Sequence, residues 1–305
     1  MFELLYIPWF KLHPIDIPGP VDLQPFGIMV AIGILFGSRV ATWRGKRVGV
    51  PEEVVSNFLF FVIVVGLISA MLLNMAFYEP HKLVNLFKGE ISYPGLSSFG
   101  GFFGGTMAAL YYRQKHRVSL MVLGDIFCFA FPFAWLICRG GCFVVHDHPG
   151  IPTDFFLAVD NYNNQGVPRH DLGLYEVLWS AAMIPLLLVL ERKRLPAGFF
   201  MAFVPLCYAP IRFGLDFLRE DAAAGGDVRY LSLTPGHYWA VMMAVAGIVV
   251  AVRTAKGPAM QLSLDGAPAP GEGQASASSP PGDADEGPKV KSTTRKQKRQ
   301  KKAKR

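Results

Sequence analysis

Residues Trp135–Gly150 read WLICRGGCFVVHDHPG, and they close an apolar run that begins at Leu120. The run from Leu120 to Cys138 has close to the roughly 20 residues that a bilayer core requires. It stops at Arg139, with glycines at 140 and 141. A charge at the end of a membrane-length apolar segment is costly unless it reaches the interface or a wet cavity, so Arg139 is a functional candidate beside the plainer reading of a headgroup anchor. His146, Asp147 and His148 follow within a few turns of chain and add titratable groups.

Composition supports the same fold class. Of 305 residues 51% are hydrophobic and 17% charged, and mean hydropathy is +0.31. That is too apolar for an ordinary soluble domain, so an all-α membrane protein is expected. The net charge of +7 belongs to the end of the chain, because Lys289–Arg305 carries ten Lys/Arg and no acid, and the remainder stands at −3. Cys128, Cys138, Cys142 and Cys207 lie in or at the ends of apolar segments, which favours packing or buried thiols over a disulfide framework.

Seven spans are expected: Pro25 to Trp43, Val54 to Phe77, Leu96 to Tyr112, Leu120 to Cys138, Leu174 to Leu190, Ala197 to Leu218 and His237 to Val252. The first ten residues have no basic n-region and are read as interfacial, with Tyr6 and Trp9 as anchors. Arg44, Lys46 and Arg47 follow the first span, Arg113, Lys115 and Arg117 the third, and Arg192, Lys193 and Arg194 the fifth, while the basic tail follows the seventh. Lys/Arg bias makes those sides cytoplasmic, with the N-terminus external and the C-terminus cytoplasmic. Residues 1–252 are then one transmembrane catalytic domain, and 253–305 a disordered Gly/Pro/Ser-rich and basic cytoplasmic tail whose expected partner is anionic lipid headgroups; no nucleic acid is expected.

Polar residues inside the apolar segments locate the chemistry. Tyr208, Arg212, Asp216 and Arg219 are spaced four, four and three and fall on one helical stripe. Such a stripe belongs in a bundle interior or wet cavity, paired internally or with an anion. His170, Asp171, Tyr175 and Glu176 enter the apolar run before it, the fifth expected span. Gly100, Gly101, Gly104 and Gly105 form a small-residue face suited to close helix packing or to admitting a lipid chain.

These motifs resemble the prolipoprotein diacylglyceryl transferase family over most of residues 20 to 255. The family's G-R-x-G-N-F-x-N-x-E is similar to Cys138–Asp147, CRGGCFVVHD; its H-P-x-Q-L-Y-E to His170–Glu176, HDLGLYE; and its Y-G-x-x-R-x-x-x-E-x-x-R-E to Tyr208–Glu220, YAPIRFGLDFLRE. The chain departs from the pattern at Phe99, where the family has histidine, at Cys142 and Val145 for asparagines, at Asp147 and Asp216 for glutamates, and at Phe26 for tyrosine. It is identified as a divergent member.

The resemblance implies a multi-pass protein of the bacterial inner membrane that transfers a diacylglyceryl group from phosphatidylglycerol to the cysteine thiol of a prolipoprotein signal region. The thiolate attacks a glyceryl carbon as phosphate leaves, so fixed positive charge must meet the phosphate. Arg139 and Arg212 are assigned to it, His170 or His146 to the thiol proton, and Asp147, Asp216 and Glu176 to holding the arginines. Gly100, Gly101, Gly141, Tyr175, Tyr208 and Arg219 complete the expected substrate site. No cofactor and no metal are expected. Two alternatives remain: an altered or inactive member acting as a lipid-binding membrane protein, and a metal-dependent membrane hydrolase using His146, Asp147, His148 and His170.

The Lys/Arg alternation sets the first prediction. A reporter fused after Arg194 or at Arg305 should be active only in its cytoplasmic form, and one at Asn163 only in its external form. Equal sidedness at Arg194 and Asn163 would sink the seven-span arrangement.

Overall fold

In a computed structural model the described residues, 6–15, 23–77, 80–88, 95–116, 118–160, 166–193, 195–220 and 229–255, form a helical bundle with one small two-stranded sheet. The expected tail, from residue 256, lies outside them, as does the side chain of Phe99. The elements are α1 (Pro25–Arg47), α2 (Glu52–Phe77), α3 (Pro80–Phe87), α4 (Ser98–His116), α5 (Leu120–Val145), β1 (Pro149–Pro152), β2 (Arg169–Asp171), α6 (Leu172–Glu191), α7 (Phe199–Phe217) and α8 (Pro235–Thr254).

Among the described residues six helices, α1, α2, α5, α6, α7 and α8, are long and apolar enough to cross a membrane. The remaining expected span is α4, which is helical over 19 residues but is diluted by four glycines, Thr106 and the basic end Arg113, Lys115, His116. Length and composition therefore support six of the seven expected crossings among the described residues. Large apolar side chains such as Leu35, Phe60, Val189 and Val252 stand exposed around the bundle, as a lipid-facing surface requires.

Apolar side chains gain little by leaving lipid for a protein interior, so helix contacts depend on close backbone approach. The α1–α5 contact is built this way. A Cβ added to Gly33 would stand 2.6 Å from Cys138 Sγ, and one on Gly37 2.7 Å from Ala134 Cβ. Gly141 closes the same seam, 2.8 Å from Met29 Cβ by the same test. The α2–α4 contact repeats the device, since a Cβ on Gly100 would meet Ser69 O at 2.8 Å. Gly100 and Gly101 thus face α2 and pack helices, which is the plainer of the two expected roles. Phe129, Phe133, Met183, Leu187, Phe200 and Val204 fill the space between α5, α6 and α7, which leaves α5 central.

One end of the bundle is tied by a buried ion cluster. Arg44 Nη2 is 3.1 Å from Asp125 Oδ2, and its Nη1 is 3.5 Å from Glu191 Oε1, which Arg47 Nε approaches at 2.7 Å. Asp125 also accepts from the Phe200 amide at 2.6 Å, and the Arg44 guanidinium lies over the Phe129 and Phe200 rings. Four helix ends, from α1, α5, α6 and α7, meet there. Arg44 and Arg47 are therefore structural groups as well as markers of sidedness.

Removing one partner of a buried pair strands the other charge, so Asp125→Ala should cost about 3–5 kcal/mol and lower the melting temperature in detergent. The double variant Arg44→Met, Asp125→Leu should recover much of that loss. A single variant as stable as the parent would show that the cluster does not hold the helices together.

Candidate active site

At the opposite end of α5 the chain builds its second buried charge cluster. Arg139 lies one turn beyond Trp135, so its guanidinium sits over the indole, 4.4 Å from the ring centroid. Its Nε is 2.9 Å from Glu176 Oε2, and its Nη1 is 3.7 Å from Cys142 Sγ. Glu176, on the second turn of α6 and 1% exposed, collects donors from two neighbouring helices, α5 and α7. Trp135 Nε1 donates to its Oε2 at 2.8 Å, Tyr208 OH donates to the same oxygen at 2.5 Å, and Arg212 Nη1 reaches Oε1 at 3.4 Å. A carboxylate in a dry interior requires such a set of partners.

The α7 stripe continues the network. Arg212 Nη2 is 2.8 Å and Arg219 Nε 3.1 Å from Asp216 Oδ1. Thr234 Oγ1 donates to Asp216 Oδ2. Thr234 caps α8, and its backbone amide donates to His237 Nδ1 at 3.1 Å, which fixes that nitrogen as an acceptor. Gly236 is enforced by the same packing, because a Cβ there would lie 1.8 Å from Asp216 Oδ2 and 2.9 Å from Arg212 Nη2.

Exposure separates the arginines. The Arg139 side chain is 6% exposed, Arg212 11% and Arg219 16%. Arg139 is thus a fixed buried charge, while Arg212 and Arg219 stand at the accessible edge. Planar guanidinium groups converging at the end of an apolar bundle can bind a phosphate oxygen pair and resist charge build-up on it.

Several expected site residues lie elsewhere. His146 ends α5 in the left-handed conformation, packs against Trp9 and Phe10, and places Nδ1 2.7 Å from buried Asp171 Oδ2. Asp171 also caps α6 through the Leu174 amide, so His146 belongs to a structural joint. Asp147, expected to hold an arginine, is exposed and pairs with His148. His170 Nδ1 is 2.6 Å from Tyr175 OH, and that pair packs on Phe155. Burial lowers the His170 pKa from its ordinary value, so the ring is neutral at neutral pH. Arg169 pairs with Glu220 and donates to Gly150 O, and Ile151 N donates to Leu218 O, which pins the β1–β2 segment over the end of α7.

The expected histidine cluster for a metal is corrected accordingly, because His146 and His170 are taken by other partners. Among the described residues the group whose ligand atoms converge is Cys142, Asp147 and His148, all within 4.8 Å of one another. The four cysteines are free thiols, as expected from their positions.

The model of the family described as prolipoprotein diacylglyceryl transferase matches residues 14–253. The chain belongs to that family. A Bacillus cytotoxicus relative is 30% identical across 69% of this chain and 82% of its own, and one from Clostridioides difficile is 30% identical across 68% and 84%. A Chromohalobacter salexigens relative is 27% identical across 79% and 91%. All three are named phosphatidylglycerol–prolipoprotein diacylglyceryl transferases. The match covers every residue of the two charge clusters.

Thr234, Gly236, Trp135 and Cys142 were not singled out as site residues by sequence reasoning. The signal for the first two was the Thr-Pro-Gly-His opening of the last apolar segment, which has the cap and proline of a helix start.

Proposed function

We propose that this protein transfers the diacylglyceryl group of phosphatidylglycerol to the cysteine thiol of a prolipoprotein signal region. The reading places it in the bacterial inner membrane, with α4 as the seventh crossing, the N-terminus and the Arg139 cluster external, and the basic tail on anionic cytoplasmic headgroups. The observation that carries the reaction is the pair Arg139 and Arg212 held on opposite oxygens of one buried carboxylate, Glu176. Their charge is fixed before the lipid arrives, so little reorganisation is needed as phosphate leaves. The thiolate sulfur bonds to the glyceryl carbon, the bond from that carbon to the phosphate oxygen breaks, and the electron pair leaves as glycerol phosphate. His170, neutral and half-buried at the start of the helix that carries Glu176, is the chain's candidate acceptor for the thiol proton.

Arg212→Lys keeps the charge and loses the planar fork. Transfer to a lipobox peptide should fall about tenfold or more, corresponding to roughly 1.5–3 kcal/mol for a charge-assisted contact. Arg139→Lys should lose at least as much, since ammonium cannot both stack on Trp135 and meet Glu176. Near-parental turnover in both variants would move the arginines from the reaction to a structural role.

The pH profile tests His170. A lowered pKa keeps the proton-accepting form populated below the ordinary histidine value of about 6.5, so the acid limb of kcat should fall below that pH. His170→Ala should lower kcat and remove that limb. An unchanged profile in the variant would take the base role away from His170.

A further inference from the structure

We propose that Cys142, Asp147 and His148 form a three-ligand site for a divalent cation of the zinc class, with its open coordination position facing the acceptor thiol beside Arg139. The proposal rests on the transfer reaction put forward above and supplies its means of making a thiolate. The three ligand atoms lie within 4.8 Å of one another. Tetrahedral zinc with bonds near 2.0–2.3 Å sets its ligands about 3.3–3.8 Å apart, so the atoms need move on the order of an ångström. Sulfur, carboxylate oxygen and imidazole nitrogen are each zinc donors, and three protein ligands with one vacant position is the catalytic rather than the structural arrangement.

The surroundings suit that role. Cys142 is 4% exposed and anchors the inner side of the site, while Asp147 is exposed and His148 partly so, which leaves the outer side open to metal and peptide. Asp147 and His148 are hydrogen-bonded to each other, and coordination replaces that contact. A thiolate and a carboxylate cancel the charge of a divalent cation, so the filled site adds no net charge beside the Arg139 guanidinium, whose Nη1 is 3.7 Å from the Cys142 sulfur. That distance places the metal and the Arg139 charge side by side. A thiol that coordinates zinc is deprotonated. The acceptor thiol would lose its proton to solvent, directly or through His170, and the bound sulfur would attack the glyceryl carbon, forming the C–S bond while the C–O bond breaks and its electrons leave on the phosphate.

Cobalt(II) titration of the chelator-treated full chain in phosphatidylglycerol nanodiscs tests the site without turnover. The expected spectrum has a thiolate-to-cobalt charge-transfer band and tetrahedral visible bands. The charge-transfer band should vanish in Cys142→Ser, and affinity should drop by about tenfold or more in the surface variant His148→Ala, which leaves the bundle core untouched. Adding a lipobox peptide should strengthen the band as a second thiolate enters, and the same peptide with serine for cysteine should not. Zinc should restore transfer to the chelated protein. Absence of the band, its survival in Cys142→Ser, indifference to the peptide thiol, or full transfer after chelation would each overturn the proposal. A protein that transfers nothing with or without zinc would overturn the reaction instead, with the cobalt and peptide spectra still deciding the site.

Discussion

The contact between Glu176 and its two arginines is the constraint from which the upper half of the bundle follows. A carboxylate 1% exposed inside an apolar bundle is tolerable only with full hydrogen-bond satisfaction, and here the donors come from the two helices on either side of it. Trp135 and Arg139 must therefore face α6, and Tyr208 and Arg212 must face it from α7. Their spacings of four residues put each pair on one helical face, so the rotation of α5 and α7 about their axes is set by this carboxylate.

Asp125 and Arg139, fourteen residues apart on α5, stand about 21 Å from each other at 1.5 Å per residue. That is less than the roughly 30 Å of a hydrocarbon core, so the two clusters stand closer together than the core is thick. Both solve the same problem, a guanidinium in an apolar setting, but in different ways. Arg44 is 2% exposed and is sealed by Asp125, Glu191 and two phenyl rings. The Arg139 cluster instead ends in Arg212 and Arg219, which reach the surface. One is a tie and the other is the proposed site.

Much of this was legible in the sequence. The apolar runs gave the helical membrane class, and the spacing of Tyr208, Arg212, Asp216 and Arg219 gave a single inward stripe that the structure keeps. Arg139 and Glu176 were candidates before their contact was visible. Partnership was not legible, because it is set by helix rotation and not by chain position. Arg44 reads as a marker of sidedness unless Asp125, hidden in a long apolar run, is placed opposite it. His146 and Asp147 are neighbours in sequence yet point to different partners, since the left-handed backbone at His146 turns the chain between them. The apolar signal is weaker in α4, where glycines that pack against α2 dilute the hydropathy of a 19-residue helix.

The two arginines on Glu176 are not equivalent, and the difference decides how a phosphate can be accommodated. Arg139 is 2.9 Å from the carboxylate and stacked on Trp135, so turning it toward a ligand would sacrifice both contacts and leave Glu176 short of charge. Arg212 is held mainly by Asp216 at 2.8 Å and meets Glu176 only at 3.4 Å. It can give up the long contact and keep the short one. In the proposed reaction an incoming phosphate would replace Glu176 as the second partner of Arg212, while Tyr208, Trp135 and Arg139 continue to satisfy Glu176. On that proposal Arg139 would supply a static field and Arg212 the moving contact, the arrangement a site needs if it is to bind a lipid phosphate and release it as glycerol phosphate on every turnover.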